Sequence, residues 1–197
     1  MDEDLVRRTP GGPDRVHAAF AALPRAGFLP PAQRSRATWD QPLPIGHGQT
    51  SSQPSTVDRM LRLLEVPVGA RVLDVGSGSG WTTALLAHLV GPAGWVLGVE
   101  LEPDLAVWGA ANLAATDQPW AHIVAAHRDV LGRPEDAPFD RILVSAEARR
   151  LPQALVDQLG TDGIMVAPVA GGLDVVRRTG EGVSTRRLEG FRFVPLR

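Results

Sequence analysis

The sequence predicts an α/β fold: a doubly wound, mostly parallel sheet preceded by an N-terminal extension of helix and loop. Three observations carry this. Arg71 to Val75 is a short apolar run with β-branched members, as in a parallel strand buried on both faces. It leads into Gly76-Ser77-Gly78-Ser79-Gly80, a turn whose backbone can approach a ligand closely. Trp81 to Val90 follows with helical composition and stops at Gly91-Pro92. Downstream, strand-like and helix-like segments alternate, which places a ligand at the carboxyl ends of the strands.

In chain order, residues 1–12 are charged and then Gly/Pro-rich, and predict a flexible arm. Asp14 to Leu23 carries Val16, Phe20 and Leu23 at helical spacing, with Asp14 as the N-cap. Residues 24–44 hold Pro24, Pro30, Pro31, Pro42 and Pro44, and predict an irregular extended loop pinned by Phe28, Leu29 and Trp39. A loop of that length inside a compact domain is usually functional. Residues 44–54 are small, polar and glycine-rich, and Pro54 to about Leu64 predicts a helix with Val57, Met60, Leu61 and Leu64 on its apolar face. Beyond the glycine turn, strands are predicted at Trp95–Glu100, Ile123–Ala126, Arg141–Val144 and Ile164–Val169. Helices are predicted at Pro103–Ala115 and Gln153–Leu159, and Leu173–Arg178 with Thr185–Val194 form a closing antiparallel pair. The length favours a single domain over 1–197, with 13–65 as the extension and 66–197 as the core.

Composition narrows the chemistry. The chain is 44% hydrophobic and 21% charged, as in an ordinary globule. Its net charge of -2 gives no global field to recruit nucleic acid or an anionic membrane. With no Cys there is no disulfide, thiolate nucleophile or Cys-ligated metal, and with no Tyr there is no phenolic acid–base group. The acidic start lacks the basic and apolar regions of a signal peptide, and no run reaches the ~18 apolar residues of a membrane span, so a cytoplasmic protein is expected. The five histidines show no ligand spacing; His122 and His127 read as packing or surface residues, and no metal site is expected.

The turn itself is informative. The dinucleotide fingerprint spaces its glycines G-x-G-x-x-G, whereas here the spacing is G-x-G-x-G with Trp81 in the sixth place. A Walker loop or kinase needs a phosphate-binding Lys, and the chain has none. Asp74 at the end of the strand is expected to face the crevice, where it suits a ligand carrying an ammonium and repels a pyrophosphate. Glu100 ends the next strand, placed to bind ribose hydroxyls. Thr50, Ser51 and Ser52 cluster ahead of the helix at Pro54, where free N–H groups favour an anion or where one hydroxyl serves as a cap.

Asp74, the glycine turn and Glu100 together resemble the Rossmann-like S-adenosylmethionine (SAM) methyltransferases. The stretch Pro44-Ile45-Gly46-x-Gly48-Gln49-Thr50-x-Ser52-x-Pro54, followed by a helix and then Val72-Leu73-Asp74-Val75-Gly76-x-Gly78-x-Gly80, resembles the protein-L-isoaspartate O-methyltransferases. Ala137-Pro138-Phe139-Asp140, Leu151-Pro152-Gln153-Ala154-Leu155 and Phe193-Val194-Pro195-Leu196 agree, so the resemblance covers roughly residues 13–197. It implies a SAM-dependent carboxyl methyltransferase with Ser52 as the catalytic residue. Cofactor contacts are expected from Gln49, Thr50, Ser51, Asp74, Gly76, Ser77, Gly78, Gly80, Glu100, Leu101, Asp129 and Val130. Acceptor contacts are expected from Ile45, His47, Ser52 and Ala146. The partner is a protein or peptide with a free carboxylate, met by a monomer. A carboxylate with pKa near ~4 is already ionised and needs no base, which fits a chain lacking a metal cluster, Tyr and the Asn/Asp-Pro-Pro-aromatic motif of amino-group methylators.

There are departures from the family pattern. Arg128-Asp129-Val130 stands where Gly-Asp-Gly is usual, and Ser145-Ala146-Glu147-Ala148-Arg149-Arg150 replaces a run of small residues. Glu147 at a crevice rim would oppose an anionic acceptor unless an Arg pairs with it, and Asp174 stands near a usual Gln. Three readings stay open: repair of isoaspartyl residues, methylation of one dedicated peptide or natural product, and SAM binding without transfer.

Overall fold

The computed structural model describes residues 14–196, so the expected N-terminal arm lies outside the described residues. The elements run α1 (Arg15–Ala22), β1 (Leu43–Gly46), β2 (Gln49–Ser51), α2 (Pro54–Leu64), β3 (Arg71–Val75), α3 (Trp81–Val90), β4 (Trp95–Glu100), α4 (Pro103–Ala114), β5 (Ala121–Ala125), β6 (Phe139–Val144), α5 (Gln153–Val156), β7 (Leu159–Val169), β8 (Gly172–Thr179) and β9 (Gly182–Glu189). The main sheet has strand order β5-β4-β3-β6-β7-β8-β9. The first five of these pair in parallel, and β8 and β9 close the sheet antiparallel. From β3 the chain steps one way to β4 and β5, then returns to the other side of β3 for β6 and β7. The carboxyl ends of β3 and β6 therefore part at a topological switch point, where α/β sheets bind ligands.

The central strands are apolar on both faces because both are covered. Val72, Val96, Leu143 and Val166 pack with α1 to α4. Leu73, Leu97, Ile142 and Met165 pack with α5 on the other face. The helical cover is unequal, since α5 spans a single turn where a helix to Leu159 is expected, and β7 already begins at that residue. The proline-rich stretch is not wholly irregular: 3₁₀ turns form at Arg25–Phe28 and Pro31–Arg36. The polar stretch after it is a hairpin, β1 against β2. The last strand ends at Glu189 rather than Val194, and the chain then leaves the sheet and returns to the end of β6, bridging Pro195 to Glu147. No helix among the described residues is long and apolar enough to cross a membrane.

Candidate active site

A cleft of about 780 Å³, counted to its open mouth, lies at the switch point. The ends of β3, β4, β5 and β6 form its floor through Val75, Val99, Ala126 and Ser145, and the hairpin contributes Ile45, Gln49 and Thr50. Gly76 and Gly78 line it with φ of +82° and +52°, a left-handed backbone that glycine adopts without a side-chain clash. The N–H groups of Gly76 and Ser77 both donate to the Val99 carbonyl, which fixes the turn to β4. Gly80 does not reach the cleft. A Cβ there would lie 2.7 Å from the carbonyl oxygen of Gly109, so its bareness lets α4 pass the turn.

The two carboxylates expected to hold a cofactor differ. Glu100 lines the cleft; its Oε2 accepts the Gly78 N–H at 2.8 Å and its Oε1 the Glu102 N–H at 3.0 Å. Each oxygen keeps a lone pair, so the group still can accept from a hydroxyl. Asp74 is fully buried and lines neither cavity. Strand alternation turns it to the α3 face with Val72, where its Oδ2 accepts the Thr83 hydroxyl at 2.7 Å and Ser145 approaches its Oδ1 at 3.5 Å. Burial pushes its carboxyl up to about 7, helped by the charge of nearby Glu100 and opposed by the Thr83 hydrogen bond. The expectation that Asp74 faces the crevice is therefore corrected: it is buried against α3 and tied to Thr83. Ser77 is buried as well; it lines the smaller cavity beside the cleft and not the cleft itself, and its hydroxyl makes no hydrogen bond among the described residues.

A smaller cavity adjoins the cleft and shares Ile45, Thr50, Gly76, Gly78 and Ser145 with it. Its remaining wall includes Ser51, Ser52, Ser79, Trp81 and Thr82, so hydroxyls dominate it. Ser51, expected among the cofactor contacts, lines the smaller cavity and not the main cleft, and its Oγ accepts from Arg25 Nε at 3.0 Å. Arg25, which the sequence left inside a loop, also donates to the carbonyls of Ser51, Gln41 and Trp39. The hydroxyls do not sit on the open end of α2 either. Asp40 takes that end, accepting the Ser55 N–H at 2.9 Å and the Gln53 amide at 3.0 Å, which lowers its own pKa. The anion-favouring helix terminus is thus already satisfied from within the chain. His47 sits at the exposed hairpin tip, 3.8 Å from Glu102 and 3.7 Å from Asp104, and lines neither cavity.

The other side of the cleft comes from loops that sequence reasoning only partly anticipated. After β4, Leu101 lines it as expected; after β5, His127, Arg128, Val130, Leu131 and Gly132 do, and Asp129 does not. Buried Gln158 fixes this loop, accepting the Arg133 N–H and donating to the Leu131 carbonyl, both at 2.8 Å. After β6, Ala146, expected as an acceptor contact, lines the cleft, and Val194, Pro195 and Leu196 of the returning tail complete it. Glu147 is not a rim charge facing the acceptor. Its carboxylate accepts the N–H groups of Gly171 at 2.9 Å and Phe193 at 3.2 Å and so straps the tail into place. Asp174 is paired with Arg187 at 3.1 Å beneath the same turn. Among the described residues no group of His, Asp and Glu could hold a metal ion.

Comparison with known proteins puts a family to this arrangement. The family profile for protein-L-isoaspartate(D-aspartate) O-methyltransferase matches residues 5–197. The chain belongs to that family. It is 45% identical over 187 residues to the protein-L-isoaspartate O-methyltransferase of Aeropyrum pernix, covering 92% of this chain and 72% of the relative. It is 46% identical over 189 residues to that of Anaeromyxobacter dehalogenans strain 2CP-C, covering 92% and 88%. A Plasmodium falciparum chain described as a protein-L-isoaspartate O-methyltransferase, solved in complex with S-adenosyl-L-homocysteine, superposes with a TM-score of 0.81 at 26% identity, covering 93% of this chain and 90% of that one.

The family's departures in this chain can now be placed. Arg128 and Val130, where the resemblance leads one to expect glycines, are exposed and line the cleft. Glu147, in place of a small residue, acts on the tail rather than on the ligand. Arg149 and Arg150 remain exposed.

Proposed function

We propose that this chain transfers the methyl group of SAM to the free carboxylate of L-isoaspartyl and D-aspartyl residues in damaged proteins and peptides. The observation that carries the reading is the junction of two cavities: a cleft with a glycine cradle and one open carboxylate, and a hydroxyl-lined recess beside it. The residues fit the cofactor. A Cβ at Gly78 would stand 3.1 Å from Ile45 Cδ1 and fill the cradle, and Glu100 has lone pairs left for a ribose. When bound, SAM supplies an electrophilic methyl on a sulfonium.

The chain's own task is alignment. Displacement at a methyl group is in line, so holding both partners at the right distance supplies much of the acceleration. Gly76, Gly78, Glu100, Leu101, Gln49, Thr50 and Val130 would hold the donor. Ser52, on the recess wall, would donate to one acceptor oxygen and leave the other aimed toward the cleft, with Ile45 and Ala146 bounding the junction. No base is needed, because the carboxylate is ionised at neutral pH.

The test is a crossed pair of variants assayed with an isoaspartyl peptide and its aspartyl twin. Ser52→Ala should lower turnover roughly ten- to a thousandfold, with SAM affinity unchanged. Glu100→Ala should weaken SAM binding by about 1.5–3 kcal/mol through loss of a charged acceptor. Full turnover by Ser52→Ala would remove its assigned role, and equal methylation of both peptides would replace the repair reading with a broader or dedicated carboxyl acceptor.

A further inference from the structure

We propose that Arg25 is a positioning residue whose positive charge, relayed through the Ser51 hydroxyl, holds the acceptor's carboxylate beside Ser52. This rests on the carboxyl-transfer reading above and names the group that recognises the acceptor's charge.

Arg25 is 4% exposed, and every acceptor around it is neutral: Ser51 Oγ at 3.0 Å, and the carbonyls of Ser51 at 2.9 Å, Gln41 at 3.1 Å and Trp39 at 3.2 Å. The guanidinium lies 5.5 Å from the Trp81 ring centroid, so its planar face is covered too. Asp40 acts on it only through space and is already engaged at the start of α2. Among the described residues no carboxylate comes within 4 Å of it in an ion pair. Desolvation lowers its pKa to about 10, which still leaves it charged at neutral pH.

A buried charge without a counter-ion is costly, and folded proteins ordinarily pair such groups. Here the missing anion has a place to go. Ser51, which accepts from Arg25, and Trp81, whose ring lies against its guanidinium, are both walls of the hydroxyl-lined recess. Ser51 Oγ spends a lone pair on Arg25 Nε, which leaves its own hydrogen to donate. A carboxylate entering the recess would receive that hydrogen bond, strengthened by the guanidinium behind it. The methyl ester formed afterwards is neutral, so the same charge that gathers the substrate does not retain the product.

The test compares an isoaspartyl peptide with the same peptide in which the acceptor carboxylate is a carboxamide. The wild type should bind the carboxylate form at least tenfold tighter than the amide. Arg25→Met should bring that ratio close to one and raise KM for the peptide about tenfold, with a smaller change in kcat and unchanged S-adenosylhomocysteine affinity. Arg25→Lys should restore part of the ratio. A role confined to folding would lower the melting temperature and leave the ratio intact, and an unchanged ratio in folded Arg25→Met overturns the proposal. Should Arg25→Met fail to fold, Ser51→Ala decides the matter: it removes the relay and keeps the cation, and full charge preference in that variant overturns the proposal as well. Absence of methylation by the wild type would sink the underlying carboxyl-transfer reading itself.

Discussion

Two glycine turns flank the same cleft, and they use their glycines for different reasons. In the turn after β3, Gly76, Gly78 and Gly80 all have positive φ, and two of them also need the missing side chain: a Cβ on Gly78 would meet Ile45, and one on Gly80 would meet the Gly109 backbone. In the hairpin, Gly46 and Gly48 have positive φ as well, yet nothing lies within 4 Å of either added Cβ. Away from the cleft, the first turn is hemmed in by α4, β4 and the hairpin. The second is open, and its position is set by what holds its base, Arg25 on Ser51 and the side chain of Ile45 against Gly78. Gly78 and Gly80 of the first turn are therefore packing as well as backbone constraints, whereas the hairpin glycines are backbone constraints alone.

That contrast can be broken by substitution. The largest effect should come from Gly80→Val, which combines a β-branched side chain at φ +90° with a 2.7 Å approach to backbone. Backbone strain and overpacking together should cost roughly 3–5 kcal/mol, read as a large loss in melting temperature or no soluble fold. A Gly80→Val protein as stable as wild type would show that α4 yields at Gly109.

An intermediate effect should come from Asp74→Asn, and it should depend on pH. The folded-state pKa of Asp74 lies above the unfolded value because of burial, so the folded chain binds more protons between about pH 4 and 7. Wild-type stability should fall through that window, by up to about 1.4 kcal/mol per pH unit, relative to the variant, and the difference should level off above it. Parallel melting curves for the two proteins from pH 5 to 8 would contradict this assignment.

The smallest effect should come from Gly48→Ala at the open hairpin. With no collision, only the left-handed backbone is penalised, by roughly 1–2 kcal/mol. For a chain of this size each kcal/mol corresponds to a melting-temperature change of about 2–4 °C. Gly48→Asn should cost less, because Asn tolerates that region. A loss as large as that of Gly80→Val would mean the hairpin is packed more tightly than its surroundings indicate.

Local periodicity and turn chemistry made most of the fold legible. The apolar runs at Arg71–Val75 and Trp95–Glu100, the glycine turn between Val75 and Trp81, the helix stop at Gly91 and the helix start at Pro103 are each decided by neighbours in sequence. The same holds for Glu100, whose place at a strand end follows from the strand itself. Sequence alone was thus enough for the parallel core, the family and the cradle of Gly76 and Gly78. The tertiary structure decided everything that depends on contacts between distant segments. It turned Asp74 away from the cleft because alternation gave that face to α3, and gave Gly80 to Gly109. It filled the α2 terminus with Asp40 and brought Arg25 beneath Ser51 across a span of proline-rich chain that carries no period. It also returned Val194–Leu196 to the cleft under the hold of Glu147. A residue's own position on its element can be read from the spacing around it. What stands opposite that residue is fixed only when the chain has closed on itself, because hydrogen bonding and desolvation act through space and leave no repeating mark in the sequence.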